Sequence, residues 1–187
     1  MQHYAYILLA VGWFAWALPF AFAFFAQKSP RAQKIDRRAR LGMVLQGVGY
    51  SILWQSKFWQ TRVTDWRLAL SILFFALAPL LSWTASRALG KQWRFDAGLN
   101  PDHALVRAGP YRFLRHPIYT SMLCVLLATG FLATPYPLFA LAALVFLAGT
   151  EIRSGIEDRL LLSRFGDEFL AYQRHAGAYI PFVKRHR

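Results

Sequence analysis

Cysteine and negative charge are what this 187-residue sequence has least of. Cys124 is the only cysteine, so an internal disulfide is impossible and a cysteine-rich zinc site is excluded. It sits in an apolar run and reads as a small packing residue. Nine Asp and Glu stand against 22 Lys and Arg, a formal net charge of +13. There is no internal repeat, no strict GxxxG, and no set of three or four suitably spaced metal ligands, so no metal is expected. A soluble protein this basic would suggest a nucleic-acid-binding face. The apolar residues argue otherwise: 56% of the chain is hydrophobic and 17% aromatic, above the roughly 45–50% apolar content of soluble proteins. They come in blocks, with the basic residues between them. That arrangement indicates a membrane protein with basic loops against anionic headgroups, and nucleic acid is not an expected partner.

Five blocks have the length and character of membrane helices: about residues 4–26, 41–58, 66–89, 118–133 and 138–152. The first is too long for the apolar part of a signal peptide and has no positive segment before it, so it reads as a retained helix. Gly42, Gly47 and Gly49 suit the second block to close helix packing, and Pro79 is expected to kink the third. Residues 90–115 are polar and broken by Gly98, Pro101, Gly109 and Pro110. Only Thr134-Pro135-Tyr136-Pro137 separates the last two blocks, which predicts a tight helical hairpin. Residues 153–187 form an amphipathic, charged tail, helical at first. The expected fold class is thus an all-α integral membrane protein of about five transmembrane helices. Nineteen of the 22 Lys and Arg fall in the first loop, the third loop and the tail. The positive-inside rule therefore predicts an outward N-terminus, with the third loop and tail together on the cytoplasmic face.

The hairpin returns its outer ends to one surface, which makes Arg115-His116-Pro117 a neighbour of residues 153–158. Glu157 and Asp158 lie close to a long apolar segment, where a charge is expensive and normally paired or functional. Arg153 precedes Glu157 by one helical turn. Pro117 suits the first position of a helix, where its missing N–H is not needed.

The motifs occur in order. They are His103-Ala104-Leu105-Val106, Gly109-Pro110-Tyr111, and Arg115-His116-Pro117-Ile118-Tyr119. After the hairpin come Arg153 with Glu157-Asp158, Phe165-Gly166 leading to Tyr172, and Pro181-Phe182-Val183. This set closely resembles the isoprenylcysteine carboxyl methyltransferase family and its relatives, the phospholipid N-methyltransferases, over about residues 90–185. The resemblance implies a methyltransferase core at residues 91–187 behind three N-terminal helices at 1–90. It implies S-adenosyl-L-methionine as cofactor and a lipophilic acceptor that reaches the site from the bilayer. His103, Ala104, Leu105, Val106, Tyr111, His116, Pro117, Ile118 and Tyr119 would line the cofactor pocket. Glu157 would hold the cofactor's polar end, and Arg153 would face the methyl acceptor. Two departures from the family pattern stand out: Thr120-Ser121 stand where a glycine is usual, and Asp158 where a second Glu is commoner. A bacterial inner membrane is the expected location.

Methyl transfer from a sulfonium needs alignment more than acid–base help. A carboxylate acceptor could be oriented by Arg153 through paired hydrogen bonds. An amine would need a base, for which His116 and Glu157 are the candidates. Carboxyl O-, amine N- and small-thiol S-methylation all remain open on these residues. An NADPH-dependent sterol-reductase-like enzyme and a non-catalytic membrane factor are the further alternatives. Each residue also has a plainer reading: Arg115 and Arg153 as headgroup anchors, His116 as a helix-end hydrogen bonder, and Glu157 and Asp158 as partners of nearby arginines.

Overall fold

The computed structural model describes residues 3–26, 34–35, 38–55, 63–94, 97–99 and 102–180. The basic residues Lys28, Arg31, Arg37, Lys57 and Arg62, the end of the second expected span at Phe58, Pro101, the closing Pro181-Phe182-Val183 and His186 lie outside the described residues. The five long helices expected from the sequence are present: α1 (His3–Ala26), α2 (Ala39–Leu53), α3 (Asp65–Leu89), α4 (Pro117–Ala133) and α5 (Tyr136–Phe165). A short helix, α6 (Asp167–His175), follows. Helices α1, α3 and α5 are long and apolar enough to cross a membrane, and α4 is a shorter apolar helix. Large apolar side chains such as Phe14 and Phe25, 69% and 85% exposed, cover the outside of the bundle. In water such a surface would be a liability; against lipid it is ordinary. The protein is an integral membrane protein. β-structure among the described residues is limited to a two-residue antiparallel ladder, β1 (Lys34–Ile35) with β2 (Gly98–Leu99), and a single parallel bridge between Leu114 and Gly177.

α5 joins into one helix what the sequence reads as an apolar span and a tail helical at first. The apolar block ends near residue 152, but the helix continues to Phe165. Ile156, Leu160 and Leu161 keep a buried or half-buried stripe going, and nothing breaks the helix until Gly166, whose φ of 51° lies in the left-handed region. Thirty residues at about 1.5 Å each give about 45 Å, longer than the hydrocarbon core of about 30 Å. Glu157 and Asp158 therefore ride on a rigid helix and not on a loose tail. α3 runs through Pro79 as one continuous helix.

The hairpin arms pack mainly on the N-terminal helices, α4 on α3 and α5 on α2. The α2–α5 seam depends on small residues. A Cβ on Gly149 would sit 2.5 Å from the Gly42 carbonyl oxygen and 2.9 Å from Gln46 N. A Cβ on Gly42 would meet Arg153 Cγ at 2.6 Å. Across the seam Gln46 Nε2 donates to Thr150 Oγ1 at 3.0 Å. At the other end of the bundle Arg67 is buried, 5% exposed. It donates to the carbonyls of Phe131 (2.6 Å), Gly130 (3.1 Å) and Thr134 (2.7 Å). Gly130 O also accepts the Thr134 N–H at 3.1 Å, and all three carbonyls lie at the C-terminal end of α4, so Arg67 is a helix cap and not the loop charge its sequence position suggests. Trp13 and Trp16 fasten α1 to α4 through indole N–H bonds to Thr129 and Ser121, each 3.1 Å.

Gly149→Ala is expected to lower the thermal unfolding midpoint in detergent, with an overpacking cost of about 1–3 kcal/mol. Gly47→Ala is the control, since a Cβ there meets nothing within 4 Å. Equal behaviour of the two variants would refute the close-packed seam.

Candidate active site

The loop before α4 is built to meet α5. A 3-10 turn at Gly109–Arg112 is followed by an extended stretch that pairs with the chain after α6. Gly177 N donates to Phe113 O (2.9 Å), Arg115 N to Gly177 O (2.7 Å) and His116 N to Ala178 O (2.8 Å). Tyr172 Oη donates to the Tyr111 carbonyl at 2.6 Å. Thr120, in the first of the two departures from the family pattern, donates to Tyr179 O at 2.6 Å. Its neighbour Ser121 accepts the Trp16 indole and donates to Ile118 O at 2.7 Å. Both hydroxyls have structural work that a glycine could not do. His116 then caps α4, and Pro117 takes the first helical position as expected.

Five charged side chains interlock here. Arg115 Nη2 donates to Asp158 Oδ2 at 2.9 Å, and its Nη1 to Ala176 O at 2.7 Å. His116 Nε2 lies 2.9 Å from Asp158 Oδ1, and its Nδ1 lies 3.2 Å from Glu157 Oε2. A neutral imidazole has one N–H; facing carboxylates from both nitrogens requires the doubly protonated ring. Burial by itself would lower the His116 pKa, but the hydrogen bonds and charges of Asp158 and Glu157 outweigh it and raise the value from 6.5 to about 9. Glu157 also accepts a hydrogen bond from Tyr119 Oη. Arg153 Nη2 is 3.9 Å from Glu157 Oε1, with its guanidinium 5.3 Å over the Tyr119 ring.

This cluster forms one end of a cavity of about 660 Å³, within the range of about 300–1,000 Å³ usual for small-molecule sites. Of the site residues expected from the sequence, His103, Tyr111, His116, Ile118, Tyr119, Arg153 and Glu157 line it. Ala104, Leu105, Val106 and Pro117 are not among its lining residues; Leu105 packs instead against Phe169 and Tyr172. His103 Nδ1 is buried with no hydrogen-bond partner in the structure. Burial, then the charges of Arg164 and Arg94, lower the His103 pKa, so the ring is neutral near pH 7. The far wall comes from α1 and α2, through Trp16, Phe20, Phe24, Met43, Gln46 and Tyr50. Sequence reasoning missed this wall because apolar helices carry no motif. Gln46, a lone amide in an apolar block, was the one available signal.

A family model for phospholipid methyltransferases matches residues 66–168, more than half of the chain. The chain belongs to the phospholipid methyltransferase family. It is 29% identical over 127 residues to a protein-S-isoprenylcysteine O-methyltransferase of Tribolium castaneum, covering 65% of this chain and 44% of that one. It is 30% identical over 76 residues to a methanethiol S-methyltransferase of Pseudomonas deceptionensis, covering 40% and 28%. The chain thus spans less than half the length of these curated relatives. In fold it resembles the solved eukaryotic intramembrane Ras methyltransferase, an isoprenylcysteine carboxyl methyltransferase. The TM-score is 0.55 at 22% identity, over all of this chain and 56% of the other.

The raised His116 value gives a signed pH dependence. Its stabilising contribution is complete below 6.5, the ordinary value, and is lost as pH rises through about 9. The unfolding midpoint of the wild type should therefore fall between these limits, by up to about 3 kcal/mol of stability. His116→Asn, which cannot titrate, should remove this slope. An unchanged slope in that variant would show that the imidazolium is not its source.

Proposed function

We propose that the protein is an S-adenosylmethionine-dependent methyltransferase whose lipophilic acceptor arrives already ionised, with a carboxylate the best fit. The observation that carries this reading is the His116 imidazolium between Glu157 and Asp158, beside Arg153, at the polar end of an otherwise apolar cavity. A protonated ring has no lone pair to offer as a base. Glu157, the other candidate base, is already engaged by Tyr119, His116 and Arg153. An amine acceptor, which must lose a proton, is therefore poorly served. A carboxylate needs no base, and a thiol entering as thiolate would use the same site; the likeness to methanethiol S-methyltransferases keeps that second reading.

The cavity's volume and the unpartnered His103 Nδ1 suit the cofactor. When bound, S-adenosylmethionine supplies an electrophilic methyl group on a sulfonium. His103, Tyr111, Ile118 and Tyr119 would surround it, and Glu157 would hold its polar end. Ala104, Leu105, Val106 and Pro117 would contribute through the course of the loop. Arg153 would orient the acceptor anion, its planar fork matching a carboxylate in two hydrogen bonds. The apolar walls exclude water, which favours a step in which opposite charges cancel. Residues 91–187 act in this reading as the catalytic core, and residues 1–90 as its membrane-embedded acceptor wall. The distribution of Lys and Arg supports an outward N-terminus and a cytoplasmic site; the membrane in this reading is a bacterial inner membrane.

Calorimetry with S-adenosylhomocysteine and detergent-solubilised protein tests the cofactor. Micromolar binding by the wild type, abolished by Glu157→Ala, is the expected result; no wild-type binding would end the proposal. Arg153→Ala should cut kcat/KM for a carboxylate acceptor about 100-fold while changing homocysteine-adduct binding only severalfold. Equal loss of both would remove Arg153 from the acceptor side.

A further inference from the structure

α5 carries polar side chains on two faces. Arg153 and Glu157 look into the large cavity, whereas Glu151, Ser154 and Asp158 lie on the other side of the helix. That second side borders a hollow of about 270 Å³. Phe169 and Gln173 of α6 and Ala178 of the strap that follows it form the opposite wall. Over this hollow the strap, residues 177–180, is placed by hydrogen bonds more than by packing.

Those bonds converge on Tyr179, which is 6% exposed. Its carbonyl accepts from Thr120 Oγ1 at 2.6 Å, in the first turn of α4. The Thr120 hydroxyl also lies 3.4 Å from His116 O, but it has one proton and the shorter contact takes it. In the other direction the Tyr179 phenol donates to the carboxyl of Glu151. Glu151 falls inside the apolar block at residues 138–152, where an acidic side chain is costly unless it is paired or functional. One tyrosine thus joins the start of α4 to α5. The residues just before it hold the backbone of the site, Gly177 O accepting from Arg115 N and Ala178 O from His116 N. Because α4 and α5 pack mainly on α3 and α2, such bridges have the separation of their polar ends to set.

We propose that Tyr179 and Glu151 are positioning residues, a clamp that presses the strap onto the start of α4 and so fixes how closely His116 approaches Glu157 and Asp158. Neither residue lines the large cavity; they act through the His116 backbone. The consequence for cofactor binding rests on the methyltransferase reading above, whereas the clamp itself does not.

The test uses the full chain in detergent with two readouts, NMR titration of ring-labelled histidine, assigned with His116→Asn, and calorimetry with S-adenosylhomocysteine. His116 faces Glu157 and Asp158 from α5, with Arg115 and Tyr119 beside it and Arg153 beyond Glu157, so its titration reports how closely α5 is held. In Tyr179→Phe and Glu151→Leu its midpoint should fall from about 9 towards 6.5. S-adenosylhomocysteine affinity should drop about tenfold, as for a small misplacement at a distance from the chemistry. Glu151→Gln, whose amide oxygen can still accept from the phenol, should retain most of that affinity. Thr120→Val cuts the clamp at its other end and should repeat the effect of Tyr179→Phe. Trp13→Phe, which loses the bond to Thr129 elsewhere in the bundle, should lower the unfolding midpoint without moving the His116 titration. A titration unmoved by both Tyr179→Phe and Thr120→Val would make the clamp a plain structural tie and overturn the proposal. A wild type that binds no S-adenosylhomocysteine ends the methyltransferase reading, while the titration still decides the clamp.

Discussion

Two adjacent carboxylates on α5, Glu157 and Asp158, hold the candidate site together. They are the counter-charges for Arg115, His116 and Arg153, all three of which are largely withdrawn from solvent. Cations buried this way are tolerable only with close, well-directed partners, and losing one partner leaves an uncompensated charge. The loop before α4 is therefore not free to choose its course. Asp158 takes Arg115 and one edge of His116, Glu157 takes the other edge, and the backbone pairing with residues 177–178 locks the rest. In the proposed reading the same cluster would set the chemistry, by keeping His116 charged and Glu157 occupied. Orientation and electrostatics would then be what the site offers, in place of proton removal.

That cluster works only if α5 is stiff and correctly placed. Its stiffness comes from uninterrupted helical sequence out to Gly166. Its placement comes from the glycine-lined approach of α2, which brings Gly42 against both Gly149 and the Arg153 stem. The Arg67 cap secures the far end of α4, so the hairpin is held at its turn by a buried cation and at its mouth by buried ion pairs. Between these fixed ends the helices leave the apolar cavity. A ligand there meets oil on most sides and charge at one end, as an amphiphile requires.

Most of the helices could be read from the sequence, because a span of apolar residues has few other ways to satisfy its backbone in lipid. The errors are as informative as the agreements. The apolar span was expected to end near residue 152, with a separate tail helical at first, because hydropathy stops there; the buried stripe continues and makes the two one helix. Arg67 looks like a loop charge in the sequence and is a helix cap in the structure. Thr120-Ser121 look like small deviations from a family pattern, yet each hydroxyl ties α4 to a different neighbour, the tail and α1.

By itself the sequence determined that the chain is a helical membrane protein, and it marked out the polar segments around the hairpin. Both follow from local chemistry: apolar length, charge cost, and residues a few positions apart on one helix. What only the tertiary structure decided is which atoms of those segments meet. The double contact of His116, the seam that sets Gly42 against Arg153, and the cavity wall from α1 and α2 all join residues distant in the chain. Such contacts depend on how helices approach one another, and that is set by the shape of whole faces, down to the absence of a single Cβ.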